Sequence, residues 1–188
     1  MITFETAGKE NTAVAAAIAV EKAKALNCPI VFSSSSGHSA EVILAQAAEL
    51  GYDGRIVVVR SAANAGLKGV NKMAPEVKQS LTDRGCTVVT AAHALSAGER
   101  SLSTKLQGVY PLEIMAHTLR MFGQGTKVCV ECATMALDAD ALPFNAPVVA
   151  LGGTSTGLDT AVVLTPSYSS SVLDTRIHEI LCKPALNG

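Results

Sequence analysis

Residues 31–42 read VFSSSSGHSAEV. An apolar run meets four serines and a glycine, then enters a segment of helical composition. Short hydroxyl side chains compete for nearby backbone groups, so Ser33–Ser36 suit neither strand nor helix. The stretch reads as a strand, a loop and a helix N-terminus, the repeating unit of an open α/β sheet. Working outward, residues 12–26 form an Ala-rich helix, with Asn11 as its cap and Asn27 and Pro29 at its end. Residues 29–33 are strand one, and residues 39–50 a helix stopped by Gly51. RIVVVR (55–60) is strand two. A loop of small residues covers 61–73, Pro75 opens a helix to about residue 84, and residues 86–90 are strand three. The apolar runs are continuous, as in parallel strands covered on both faces.

Residues 91–146 contain no good strand. Helices are expected over 96–105, 111–122 and 126–139, the last with Val128, Cys132, Met135 and Ala139 on one face. Residues 147–151 are strand four and 160–165 strand five. The intervening loop is too short for a crossover helix, so strand five runs antiparallel to strand four. Residues 176–182 alternate weakly and suit an edge strand or a short helix. The expected fold is one α/β domain over residues 1–188, with three α/β/α layers. Its sheet is mostly parallel, in the order 3-2-1-4-5.

That order makes a switch point. Right-handed crossovers carry strands one to three outward on one side, and the helical excursion returns strand four beside strand one. Ligands in such sheets bind beyond the C-terminal strand ends where the winding reverses. The two loops leaving those ends are both rich in Gly, Ser and Thr. The candidate residues from the first are Ser33, Ser34, Ser35, Ser36, Gly37, His38 and Ser39. From the second they are Gly152, Gly153, Thr154, Ser155, Thr156, Gly157, Asp159 and Thr160. A helix N-terminus offers free N–H groups and the positive end of its dipole. Gly37 permits a sharp turn and close approach of an anion. Hydroxyls add donors, and a phosphate matches the set. The bland alternative is that Ser36 caps the helix and the remainder is solvated turn. Asp159 either binds a sugar or ribityl hydroxyl or caps its own loop. Neither loop holds Lys or Arg, so His38, Arg60 or a residue of the 91–146 excursion must supply positive charge.

Composition narrows the function classes. The 188 residues are 48% hydrophobic and 16% charged, enough for one sizeable core. Lys plus Arg is 15 against 16 Asp plus Glu, so no basic face for nucleic acid or anionic membrane is expected. Aromatic residues are 4% with no Trp, which argues against a base-stacking platform. MITFETAGKENT lacks the pattern of a signal peptide, and the most apolar run, residues 12–20, is too short to span a bilayer. Five scattered cysteines fit a reduced, cytoplasmic protein. CVEC (129–132) lacks the second pair a zinc site needs and lies inside a helix, so buried thiols are expected and no metal. His93 follows strand three at about 10 Å from the switch point, within reach of the far end of a large ligand. Lys127 and Glu131 are four apart and near Arg120. They form a structural ion pair or a catalytic group. Dinucleotide, nucleoside-triphosphate, zinc-protease and serine-hydrolase signatures are absent.

VFSSSSGHSAEV resembles the first strand, loop and helix of the pyruvate kinase C-terminal domain, where that loop holds a phosphate of the allosteric sugar effector. VVALGGTSTGLDTAVVL resembles that domain's later strand, effector loop and antiparallel strand. A closer match is the stand-alone pyruvate kinase alpha/beta domain-like family. It is carried by GKENT (8–12), SSSSGHSA (33–40), HALSAGER (93–100), GVYPLEIMAHTLRMFGQGTKVCVE (108–131), MALDAD (135–140), GGTSTGLDTAVV (152–163) and EILCKP (179–184). The resemblance implies a three-layer fold and suggests flavin mononucleotide (FMN) as ligand. It does not imply kinase activity, whose residues lie in a separate barrel. Two positions depart from the family pattern. Arg60-Ser61-Ala62-Ala63-Asn64 stands where a His-containing loop is expected, and Asp140 stands where Gly is expected. Two functional classes stay open: an FMN-binding protein, with or without oxidoreductase activity, and a non-catalytic sensor of a phosphorylated metabolite such as a sugar phosphate. An enzyme acting on a phosphosugar is a third. Tyr110, Phe122, Phe144 and Tyr168 are the aromatic candidates for a flavin ring. A homo-oligomer is compatible with all of these.

Overall fold

The computed structural model describes residues 1–63 and 69–186. Among them seven strands form one sheet in the order β1-β7-β6-β5-β2-β3-β4. The strands are β1 (Ile2–Phe4), β2 (Ile30–Ser33), β3 (Ile56–Arg60), β4 (Thr87–Thr90), β5 (Val148–Gly152), β6 (Thr160–Thr165) and β7 (Arg176–Pro184). Pairing is parallel for β1–β7, β2–β3, β2–β5 and β3–β4, and antiparallel for β5–β6 and β6–β7. The strands anticipated as one to five are β2, β3, β4, β5 and β6, and they run β4-β3-β2-β5-β6.

Among the described residues six α-helices complete the fold: α1 (Thr12–Leu26), α2 (His38–Leu50), α3 (Pro75–Asp83), α4 (Ala97–Leu106), α5 (Pro111–Arg120) and α6 (Gln124–Asp138). Alternate strand residues feed two separate cores, because successive side chains leave a strand on opposite faces. Ile30, Phe32, Ile56, Val58, Val149 and Leu151 pack with Ala16, Ala19 and Val20 of α1 and Ile43 of α2. Val31, Val57, Val59, Val148 and Ala150 pack with Cys129, Ala133 and Ala136 of α6. Helices thus cover both faces, and every residue of β5 is buried. No helix among the described residues is long and apolar enough to cross a membrane.

Three elements differ from the expectation. β7 is a nine-residue strand inside the sheet, with β6 on one side and β1 on the other. Its exposed first half, Arg176–Glu179, hides this in the sequence. β1 forms the edge, and at three residues it is too short to carry a pattern. Asn11 makes no side-chain cap on α1; its Nδ2 donates to Thr6 O, and a 3₁₀ turn, Lys9–Asn11, leads into the helix. The loop 61–73 is described only at 61–63 and 69–73, so Asn64 lies outside the described residues.

Candidate functional site

β2 and β5 are parallel neighbours, with Phe32 opposite Leu151. The loops that follow Ser33 and Gly152 therefore open side by side. Between them lies a cleft of about 540 Å³, whose walls come from seven separate segments. That volume falls within the range of small-molecule sites.

The serine loop forms one end. Ser33, Ser34, Ser35, Ser36, His38 and Ser39 all line the cleft. Ser34 is buried, and its Oγ accepts the Gly37 N–H at 3.2 Å, so Ser34 makes the turn. Ser36 makes no cap: α2 has no side-chain cap bond. The N–H groups of Ser35, Ser36, His38 and Ser39 have no hydrogen-bond partner among the described residues. Free donors at the start of a 13-residue helix are the kind of group an anion site uses. Gly37 makes the sharp turn expected of it and also gives room to a neighbouring helix. Its φ is +99°, and a Cβ there would sit 2.5 Å from Val77 Cγ1 of α3. The missing side chain serves the turn and the α3 contact, and Gly37 does not line the cleft.

The second loop divides in two. Gly153, Ser155, Thr156 and Gly157 line the cleft. Gly152 does not: a Cβ on it would strike Gly125 O at 2.5 Å and Val128 Cβ at 2.8 Å, so it lets α6 press on β5. Asp159 and Thr160 are fully buried. The Asp159 carboxylate accepts from Thr154 N, Gly8 N and Thr160 Oγ1 at 3.0, 3.1 and 2.8 Å. It caps its own loop and ties that loop to the N-terminal segment. Thr154 supports the loop through the same bond and is absent from the lining.

Charge arrives from elsewhere. Lys9, Arg60 and Lys72 line the cleft, together with Ser61. Arg60 is held at the end of β3 by Thr90 Oγ1, which its Nε meets at 2.6 Å. Asn71 fixes the approach of Lys72: it donates to Ser61 O and accepts from Met73 N. Ser61 Oγ is buried with no partner among the described residues. Lys9 and Lys72 were missed from sequence. GKENT marked the segment that carries Lys9, yet nothing local shows that Gly157 packs on it, with Lys9 Cα only 2.5 Å from a Cβ built there.

The remaining wall is α6, where Gln124, Val128, Glu131, Cys132 and Met135 face the cleft. At its far side Glu131 is 2% exposed and Lys127 5%. Lys127 Nζ donates to Glu131 Oε2, Leu95 N donates to Oε1 at 3.0 Å, and His93 Nδ1 lies 3.0 Å from Oε2. Burial pushes the Glu131 carboxyl up, but the His93 hydrogen bond and the Lys127 ammonium outweigh it and hold it at about 2. Arg120 stands apart, donating to Gln124 Oε1 at 2.8 Å. Tyr110, Phe122, Phe144 and Tyr168 do not line the cleft, and the last two stack on each other with centroids 5.5 Å apart. All five thiols are buried and unpaired. Burial pushes the Cys132 thiol up to about 12 and Cys129 well above its usual range. Among the described residues no group of three or more His, Cys, Asp or Glu side chains could hold a metal ion. No protein-family model matches the chain.

Proposed function

We propose that this protein binds a phosphorylated, hydroxyl-bearing small molecule, with its phosphate on the serine loop, and that FMN is the first candidate. The single observation that carries this is the row of free N–H groups at Ser35, Ser36, His38 and Ser39, opening into a cleft that also gathers Lys9, Arg60 and Lys72. Three cations face one lining carboxylate, Glu131, which Lys127 already balances. An anion entering this space meets a positive field and unpaired donors. The residues present fit FMN. Ser35, Ser36 and Lys9 would hold its phosphate, Ser61 and Gln124 its ribityl hydroxyls, and the apolar surface of Val59, Val128 and Met135 its ring. When bound, the flavin would supply redox chemistry.

The absence of an aromatic side chain from the lining favours a second reading. A sugar phosphate needs hydroxyl partners and charge but no surface for a planar ring, so a regulatory module sensing such a metabolite uses the same cradle.

Titration of the apo-protein with FMN and with riboflavin, followed by flavin fluorescence, tests the proposal. Replacing Ser35 and Ser36 together by Ala removes two donors, at about 0.5–1.5 kcal/mol each. FMN affinity should fall roughly five- to a hundred-fold while riboflavin affinity stays level. Equal loss of both ligands would remove the phosphate from this loop. Saturable binding of a sugar phosphate, with no response to high-micromolar FMN, would select the sensor.

A further inference from the structure

We propose that the cleft is also a proton-transfer site: His93 Nε2 is its acid–base group, Glu131 positions it, and the substrate is a phosphorylated hydroxy-carbonyl compound. The proposal rests on the phosphate end of the site above and not on the flavin.

The arrangement at His93 is more than a surface histidine meeting a carboxylate. The His93 side chain is 52% exposed and lines the cleft, while its Nδ1 reaches back 3.0 Å to a carboxylate that is 2% exposed. Both oxygens of Glu131 are engaged, Oε1 by Leu95 N and Oε2 by Lys127 and His93. The carboxylate is therefore clamped and cannot turn toward a ligand. Lys127 keeps it ionised, so it can only accept, and Nδ1 must carry the ring hydrogen of a neutral His93. The basic nitrogen is then Nε2, which has no partner among the described residues. A carboxylate that sets the tautomer and orientation of an imidazole is the device of acid–base catalysis on many folds. Burying an ion pair is a poor route to stability, since apolar side chains of similar volume serve as well or better. The one exposed member of this buried set faces the ligand space.

Other lining groups do not compete for the role. His38, at the start of α2, has no side-chain hydrogen bond among the described residues to orient it. Glu131 is the only carboxylate among the described lining residues, and Cys132 is held protonated by burial. Arg60 and Lys72 offer positive charge for an oxyanion.

These parts match enolisation. The C–H proton beside the carbonyl passes to Nε2. The C–H electron pair becomes the C=C bond of an enediolate as the carbonyl pair moves to oxygen, next to a lining cation. To give the isomer, the remaining hydroxyl proton of the enediolate passes to the former carbonyl oxygen as the imidazolium protonates the former carbonyl carbon. To give exchange, the imidazolium returns a proton to the carbon it came from. No oxidant or reductant is required. His93 lies about two strand spacings, roughly 10 Å, from the serine loop, which places the reacting carbons several bonds from the phosphate.

The experiment uses the full chain. With histidine nitrogens labelled, NMR should show the neutral His93 ring protonated on Nδ1, and Glu131→Gln should mix the tautomers. A wild-type ring protonated on Nε2 would overturn the proposal. In D2O, with dihydroxyacetone phosphate and fructose 6-phosphate as probes, the wild type should exchange the proton beside the carbonyl about 10²–10⁴-fold faster than His93→Gln. Equal rates, or no exchange above buffer with either probe, would also overturn it. His93→Gln alters a half-exposed side chain, so the comparison stands even where Glu131→Gln fails to fold. FMN titration separates the two ideas. FMN binding without exchange keeps the proposed ligand and removes this inference; exchange without FMN binding keeps the inference and leaves the sugar phosphate as ligand.

Discussion

Gly37 and Glu131 show how single residues tie the site to the fold. At φ +99° any L side chain at Gly37 is strained, and Val77 blocks the space it would need. Gly37→Ala should cost about 1–2 kcal/mol from the backbone alone, with a steric part added. Urea denaturation should show Val77→Ala recovering only the steric part; full recovery would mean the turn is not strained. At Glu131, replacement by Ala leaves the Lys127 ammonium buried and unpaired and should cost about 3–5 kcal/mol. The double variant Lys127→Met with Glu131→Leu should regain most of it. The pH dependence has a definite sign. The folded Glu131 carboxyl titrates at about 2, below its ordinary value of 4.5. Its contribution is therefore present above about pH 4.5 and is lost as pH falls toward 2. Denaturation midpoints at pH 7 and pH 3 should differ less in the double variant than in the wild type. The buried thiols make a further expectation. Burial raises all five, so a thiol reagent at pH 8 should label the native protein slowly and all five sites after unfolding. Rapid labelling of one native cysteine would contradict this.

At the scale of elements, the second loop and the N-terminal segment form one unit. Asp159 holds Gly8 N and Thr154 N together, and Thr12 Oγ1 accepts from Leu158 N at 3.0 Å. Asp159→Ala should destabilise the protein by about 1–3 kcal/mol, because these donors lose their acceptor in partly buried surroundings. Amide exchange at Gly8 and Thr154 should rise together. A rise at Thr154 alone would show that the N-terminal turn is held by other contacts. α6 is the second such unit. One face packs Cys129, Ala133 and Ala136 on the sheet, and another turns Val128, Cys132 and Met135 to the cleft. The helix is legible from its apolar spacing, but that spacing does not say which face meets the sheet.

Over the whole molecule the cleft gathers Lys9 from before α1, Arg60 from the end of β3 and Lys72 from before α3. Their joint field should make phosphate-ligand affinity fall as ionic strength rises from 50 to 500 mM, because partly exposed charges are screened. Lys9→Ser should flatten that dependence. An unchanged salt response would mean Lys9 does not sense the ligand.

The division between chain and fold is physical. Strand and helix positions follow from local apolar runs, glycines and prolines, as at RIVVVR and at Pro75. The pairing of SSSSGHS with GGTSTG follows from winding rules that act on those same elements. By contrast, β7 became an inner strand only because β1, too short to announce itself, pairs with it. For Asp159 the sequence left a ligand contact and a cap of its own loop both open; the local donors at 154 and 160 and the distant one at 8 show the cap, and only the fold supplies the last. The positive charge missing from both loops came from residues 9, 60 and 72. Local composition encodes the elements because backbone preference and burial act over a few residues. The partners of a carboxylate or an anion are set by through-space distance, which only the packed sheet and helices decide.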